Sequence, residues 1–147
     1  MNERNSLIQE YITHMEFLGY EFVDGEEKDT YLGRHKRYGP TLAREMNSSG
    51  LRLESYFPLD KEVITNNSAS FYKMINDINK ELGISTVIGY EDCIYMSCLY
   101  AGDYRKSIFS DVLDAYHSDI GKVYQNNEVE NFVRIEDKGL DISEAEA

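Results

Sequence analysis

The stretch MINDINKELGISTVIGY, residues 74–90, reads as the end of a helix, a stop and a strand. Ile75, Ile78 and Leu82 mark an apolar face, because residues three and four apart share one side of a helix. Asn79 lies one turn after Ile75, on that same side. An amide set against a core face must find hydrogen-bond partners there. Asn79 stands in the last turn before Gly83, where the chain swings into the next strand and leaves backbone groups free. Asn79, and with it Asn76, is therefore read as a structural clasp between helix and hairpin, against the plainer alternative of exposed amides with no role.

Outward from this stretch, NNSASFYKMINDINKEL is an amphipathic helix with Phe71, Ile75, Ile78 and Leu82 on one face and Gly83 as its stop. Downstream, ISTVIGY, the acidic turn ED and CIYMSCLY form a hairpin. Its second arm is apolar on both sides: Ile94, Met96, Cys98 and Tyr100 alternate with Cys93, Tyr95 and Leu99. A strand covered on one side only should alternate with polar residues. Either a helix and a partner surface cover this arm from opposite sides, or both sides are internal. DYRKSIFSDVLDAYHSDIGKVY is a third long helix, with Ile108, Val112, Tyr116, Ile120 and Val123 along its stripe and Asp103 as its cap.

Upstream, Leu7, Ile8, Tyr11, Ile12, Met15 and Leu18 recur at helical spacing, with Asn5 or Ser6 as cap and Gly19 as a left-handed stop. YEFV is extended. Residues 30–59 suit three antiparallel strands, TYLGRHKRYG, PTLAREMN and LRLESYFPL, with turns at Pro40 and at NSSG. In the third strand Leu51, Leu53, Phe57 and Leu59 alternate with Arg52, Glu54 and Tyr56, and Ser55 is the one lapse. The fold class is α+β: an antiparallel sheet with helices packed on it, in the order α-β-β-β-α-β-β-α.

This order resembles the YbjN-like family and the class I type III secretion chaperones. The element order covers residues 5–124, and the local likeness covers residues 74–103. There INDIN runs through a Gly stop into a strand, an acidic turn and a second apolar strand, and Asn76 and Asn79 match the family's Asn-x-x-Asn. GRHKRYG departs from the pattern, being more basic than a sheet centre. The resemblance implies a homodimer that holds an extended segment of a client protein without hydrolysing nucleotide.

The 147 residues fit one domain, read here as residues 1–124, followed by an acidic tail over 125–147 that is partly disordered. Seven acids and two bases lie in that tail. The net charge of −12 argues against nucleic acid as a partner, since that affinity comes from Lys and Arg on phosphates. No apolar run reaches the roughly 18–20 residues that a membrane span needs, and no secretory signal pattern opens the chain. A cytoplasmic protein is expected. Cys93 and Cys98, five apart on one strand, point to opposite faces and form neither a disulfide nor a C-x-x-C pair.

No phosphate-binding glycine loop, nucleophile elbow or zinc-helix spacing is present, and His14, His35 and His117 stand alone. The expectation is a non-enzymatic protein with no catalytic residues, no metal and no cofactor. RHKR, residues 34–37, is a cationic spot in an acidic chain. It reads either as a charge-blunted edge strand or as a contact, through Arg34, Lys36 and Arg37, for an acidic partner or for the chain's own acidic tail. Ile94, Met96 and Tyr100 are the expected buried contacts of a protein interface. The leading expectation is a chaperone-like or regulatory module that binds a partner protein as a homodimer. The alternative, resting on charge alone, is an acidic decoy that blocks a basic nucleic-acid-binding protein.

Overall fold

The computed structural model describes residues 6–46 and 50–134. Helix α1 (Ser6–Phe17) presents Ile8, Tyr11, Ile12 and Met15 to the core, and Gly19 follows it with φ +104°. That left-handed conformation suits a residue without a Cβ. The caps read at Asn5 and Ser6 lie outside the described side chains. Strands β1 (Glu21–Asp24), β2 (Thr30–His35), β3 (Gly39–Glu45) and β4 (Leu51–Pro58) run antiparallel in sequence order. Then come α2 (Lys61–Asn66), α3 (Ser68–Glu81), the hairpin β5 (Thr86–Gly89) and β6 (Cys93–Tyr100), and α4 (Lys106–Gln125). The sheet order is β1-β2-β3-β4-β6-β5, so β6 lies against β4 and β5 forms one edge. This is the α+β antiparallel architecture read from the sequence, with β1 as a further strand and α2 as a further short helix.

The core lies on one side of the sheet. The register sets Leu51 opposite Tyr100, Leu53 opposite Cys98, Ser55 opposite Met96 and Phe57 opposite Ile94. All of these side chains are buried together with Phe71, Met74, Ile75 and Ile78 of α3 and Phe109, Leu113, Tyr116, Ile120 and Val123 of α4. Ser55, the lapse in its strand, is a core residue because its hydroxyl meets the buried Tyr116 hydroxyl at 2.6 Å. Helix α3 lies so close to β5 that a Cβ on Gly89 would come within 2.6 Å of the Phe71 ring.

Several local expectations change. The stripe of α4 is centred on Phe109 and Leu113, which leaves Ile108 exposed, and Arg105 rather than Asp103 stands at its N-cap. Leu82, not Gly83, caps α3, in extended conformation, and Gly83 has no positive φ. The basic strand TYLGRHKRYG ends at His35 and turns at residues 36–38. It is also not an edge, because β1 pairs outside it.

The packed unit continues past residue 124, the boundary read from the sequence. One 3-10 turn, Val129–Phe132, folds back so that the Phe132 carbonyl accepts the Asp60 N–H at 2.7 Å and its ring meets Phe71. Val129 and Phe132 are buried. The rest of the tail over 125–147, expected to be partly disordered, lies beyond residue 134 and outside the described residues.

Candidate functional site

Two polar devices hold the β5–β6 hairpin in place. Asn79 donates from Nδ2 to the Val87 carbonyl at 3.0 Å and accepts the Val87 N–H on Oδ1 at 2.8 Å. The side-chain amide thus pairs with the outward edge of β5 as a neighbouring strand would. Asn76 is exposed and its side chain makes no hydrogen bond among the described residues, so it is no part of this clasp.

Asp119 of α4, 0% exposed, is the second device. Its Oδ1 accepts the Gly83 N–H at 2.8 Å, and its Oδ2 accepts those of Ile84 and Ser85 at 3.0 and 2.9 Å. Burial alone would raise the pKa of this carboxyl, but the three backbone donors outweigh it and hold the pKa below the ordinary value. An acid between Tyr116 and Ile120 on an apolar stripe was a legible signal that sequence reading passed over.

The helices pack on one side, and among the described residues none covers the other side of the sheet. It presents Val23 of β1, Leu32 and Arg34 of β2, Leu42 and Arg44 of β3, Arg52, Glu54 and Tyr56 of β4, Cys93, Tyr95, Ser97 and Leu99 of β6, and Ile88 of β5, by the alternation of each strand. None of these belongs to the hydrophobic core cluster. Tyr56, Ile88, Leu99 and Tyr90, the residue after β5, are all about half exposed, with Leu99 at 53%. Each exposes roughly 100 Å², about 400 Å² in all: Tyr56, Ile88 and Tyr90 gather around Tyr95, and Leu99 lies four residues further along β6, beside Arg52.

At the centre of this face lies Glu54, only 3% exposed although sequence alternation set it toward solvent. Its Oε1 accepts the Tyr95 hydroxyl at 2.7 Å and its Oε2 accepts Arg44 Nε at 2.8 Å. Arg44 also donates from Nη1 to Glu27 at 2.7 Å. The two carboxylates, Glu54 first, raise the Arg44 pKa above its ordinary value. Burial and Glu54 push the Tyr95 hydroxyl up to about 12. Tyr95 is further enclosed by the rings of Tyr56 and Tyr90, at 5.1 and 6.0 Å. The face therefore has a preformed, hydrogen-bonded centre.

The residues predicted to make contacts fall differently. Ile94 and Met96 are 0% exposed and Tyr100 is buried, all three on the helix side, so they build the core and are not available to a partner. The other side of the same strand, Tyr95 and Leu99, faces outward. The arm is apolar on both sides because one side meets the helices while the other is left open. Arg34 lies on the open face beside Glu21 of β1. Lys36 and Arg37 are exposed in the β2–β3 turn, and the Arg37 guanidinium lies 5.7 Å from the Tyr38 ring centre. His35 turns inward: its Nε2–H donates to the Leu18 carbonyl at 3.0 Å, while Nδ1 accepts the Arg37 and Tyr38 N–H groups. RHKR is thus divided between a face, a turn and a packed ring, and is not one basic patch.

A cleft of about 540 Å³ beside α1 is lined by Gln9, Glu10, Thr13, His14, Phe17, Tyr104 and Lys106. His14 Nδ1 is already bound to the Tyr104 hydroxyl at 2.8 Å, and no nucleophile–base pair converges there. Among the described residues no three His, Cys, Asp or Glu side chains gather as metal ligands, and no helix is long and apolar enough to cross a membrane. Both cysteines are free thiols, and burial raises each to a pKa of about 11.

No protein-family model matches this chain, and a search of curated proteins finds no relative.

Proposed function

We propose that this chain is a non-enzymatic protein-binding module, chaperone-like or regulatory, that holds or sequesters a partner protein on the open face of its sheet. The observation that carries this reading is the set of half-exposed apolar side chains, Tyr56, Ile88, Tyr90 and Leu99, on the side of the sheet that no helix among the described residues covers. Burying about 400 Å² of it yields on the order of 10 kcal/mol at 25 cal/mol per Å², comparable to the 4–15 kcal/mol that association costs. The rest of the face and its partner supply the margin. Glu54, Arg44 and Tyr95 already satisfy one another, so covering the face strands no carboxylate. The resemblance to secretion chaperones, which hold an extended client, supports the same reading, as do two unpaired thiols for a cytoplasmic setting. The acidic-decoy alternative rests on net charge and gains no support from the geometry.

The test is site-specific photo-cross-linking in the native host. A photoreactive residue at position 99 is expected to trap protein adducts, while one at the exposed helix position Tyr72 is not. Adducts at position 72 with none at position 99 would refute the proposal.

A further inference from the structure

We infer that the cleft beside α1 binds a small zwitterion with an aromatic body, the chemistry of a free aromatic amino acid. The cleft lies on the helical side of the molecule, away from the open sheet face, and its role does not depend on the function proposed for that face.

Glu10, His14 and Phe17 recur four and three residues apart along α1, which sets them on one side of that helix. Tyr104 and Lys106 complete the cleft from the start of α4 and the segment before it. The bond of 2.8 Å between His14 Nδ1 and the Tyr104 hydroxyl ties the two walls together, and Tyr11 donates its hydroxyl to the Gly102 carbonyl at 3.1 Å. The Tyr104 ring stands edge-on to Tyr11 and His14, at 5.2 and 5.8 Å, and His14 stands edge-on to Phe109 at 5.1 Å. These contacts hold the cleft preformed. Its volume of about 540 Å³ lies within the roughly 300–1,000 Å³ of small-molecule sites.

The lining sets the class of ligand. Phe17 is 89% exposed, although Tyr11 on the same helix is buried. An aromatic body entering the cleft meets both this bare ring and that of Tyr104, edge-on or offset, and takes the Phe17 ring out of water. Glu10 and Lys106 are the charged residues of the lining, opposite in sign. Neither forms an ion pair among the described residues, with the other or with a third group.

A ligand with one charge answers one of these side chains and is opposed by the other, whereas an ammonium and a carboxylate on one small molecule answer both. His14 adds no third charge at neutral pH, because burial, with Lys106 beside it, lowers its pKa. Its Nε2 has no hydrogen-bond partner among the described residues and is a further polar contact for the ligand's charged end.

The experiment is an NMR chemical-shift titration of the full, isotope-labelled chain with L-phenylalanine. Shifts centred on the residues that line the cleft are expected, with a dissociation constant of about 0.1–2 mM. Phenethylamine, which lacks the carboxylate, and phenylpropionate, which lacks the amine, are each expected to bind at least about 5-fold more weakly. Glu10, Phe17 and Lys106 are exposed, so their replacement leaves the fold and the circular dichroism unchanged. Phe17→Ala, Glu10→Gln and Lys106→Gln are each expected to weaken phenylalanine binding at least about 5-fold. Lys106→Gln is also expected to erase the preference for phenylalanine over phenethylamine, and Glu10→Gln the preference over phenylpropionate. No shifts at the cleft with phenylalanine at about 10 mM, or binding indifferent to Phe17→Ala, would overturn the inference. So would a one-charge analogue that binds as tightly as phenylalanine. Equal binding of uncharged N-acetyl-phenylalaninamide would also overturn it, marking the cleft as a seat for an aromatic side chain of another protein. Each of these results leaves the cross-linking test at position 99 to be read on its own.

Discussion

Replacing Asp119 tests how the hairpin that carries Ile88, Tyr90 and Leu99, three half-exposed apolar residues of the open face, is held. Asp119→Ala removes an acceptor of three backbone N–H groups, at 2.8, 3.0 and 2.9 Å, from a site with no solvent exposure. Hydrogen bonds to a charged group contribute about 1.5–3 kcal/mol each, and a buried donor left alone costs about 1–3 kcal/mol. The three N–H groups lie in a surface-near loop, where water can reach some of them, so the net loss is about 3–5 kcal/mol. That is a large share of the roughly 5–15 kcal/mol of a domain this size. Asp119→Asn keeps the shape, but its amide NH₂ opposes a backbone donor, and the expected loss is about 2–3 kcal/mol. Urea unfolding at neutral pH measures both.

The pH dependence is a second readout of the same site. A carboxyl whose pKa is lowered on folding stabilises the fold above its unfolded value near 3.8, and that contribution is lost as pH falls through the folded value. Asp119→Asn is expected to remove that part of the acid sensitivity. A loss below about 1 kcal/mol for Asp119→Ala, with the amides of residues 83–85 still protected from hydrogen exchange, would refute the reasoning.

Three further outcomes follow from other sites. Asn79→Ala is expected to cost about 2 kcal/mol, two hydrogen bonds to Val87, and to speed exchange of the Val87 amide in hydrogen-exchange mass spectrometry or NMR. Gly121 lies inside α4 with nothing within 4 Å of an added Cβ, so Gly121→Ala is expected to stabilise the chain by about 0.5–1 kcal/mol in the same urea titration. His117 accepts or donates a 2.7 Å hydrogen bond with Tyr20, stacks on Tyr38 at 3.6 Å, and lies near His35, Arg37 and Asp114. Burial, with His35 beside it, lowers its pKa to about 4, so below pH 6.5 the unfolded chain takes up a proton that the folded chain refuses. Stability is expected to fall by about 1–2 kcal/mol, after allowance for solvent screening, between pH 6.5 and pH 4. His117→Gln is expected to flatten that slope, as unfolding midpoints at pH 7 and pH 5 would report.

What the sequence by itself determined is the set of elements and their order, because hydrophobic periodicity depends on which residues share a side of a helix or strand. The stripe Ile8, Tyr11, Ile12 and Met15 and the alternation Leu51, Leu53, Phe57 carry that information locally. The double apolar character of residues 93–100 was also legible, but not which side the helices take. Ile94, Met96 and Tyr100 went inside, and Tyr95 and Leu99 outside, because the β4–β6 register aligns the first set with Leu51, Ser55 and Phe57. That pairing joins residues some forty positions apart, and no local pattern encodes it. The same distance hid Glu54 and Asp119. Each is a carboxylate whose burial draws on donors from other segments, Tyr95 together with Arg44 for one, and Gly83, Ile84 and Ser85, with Lys122 of its own helix 3.6 Å away, for the other. Tertiary structure alone decides such sites, since the desolvation cost and the hydrogen bonds that offset it arise together only when the chain has closed.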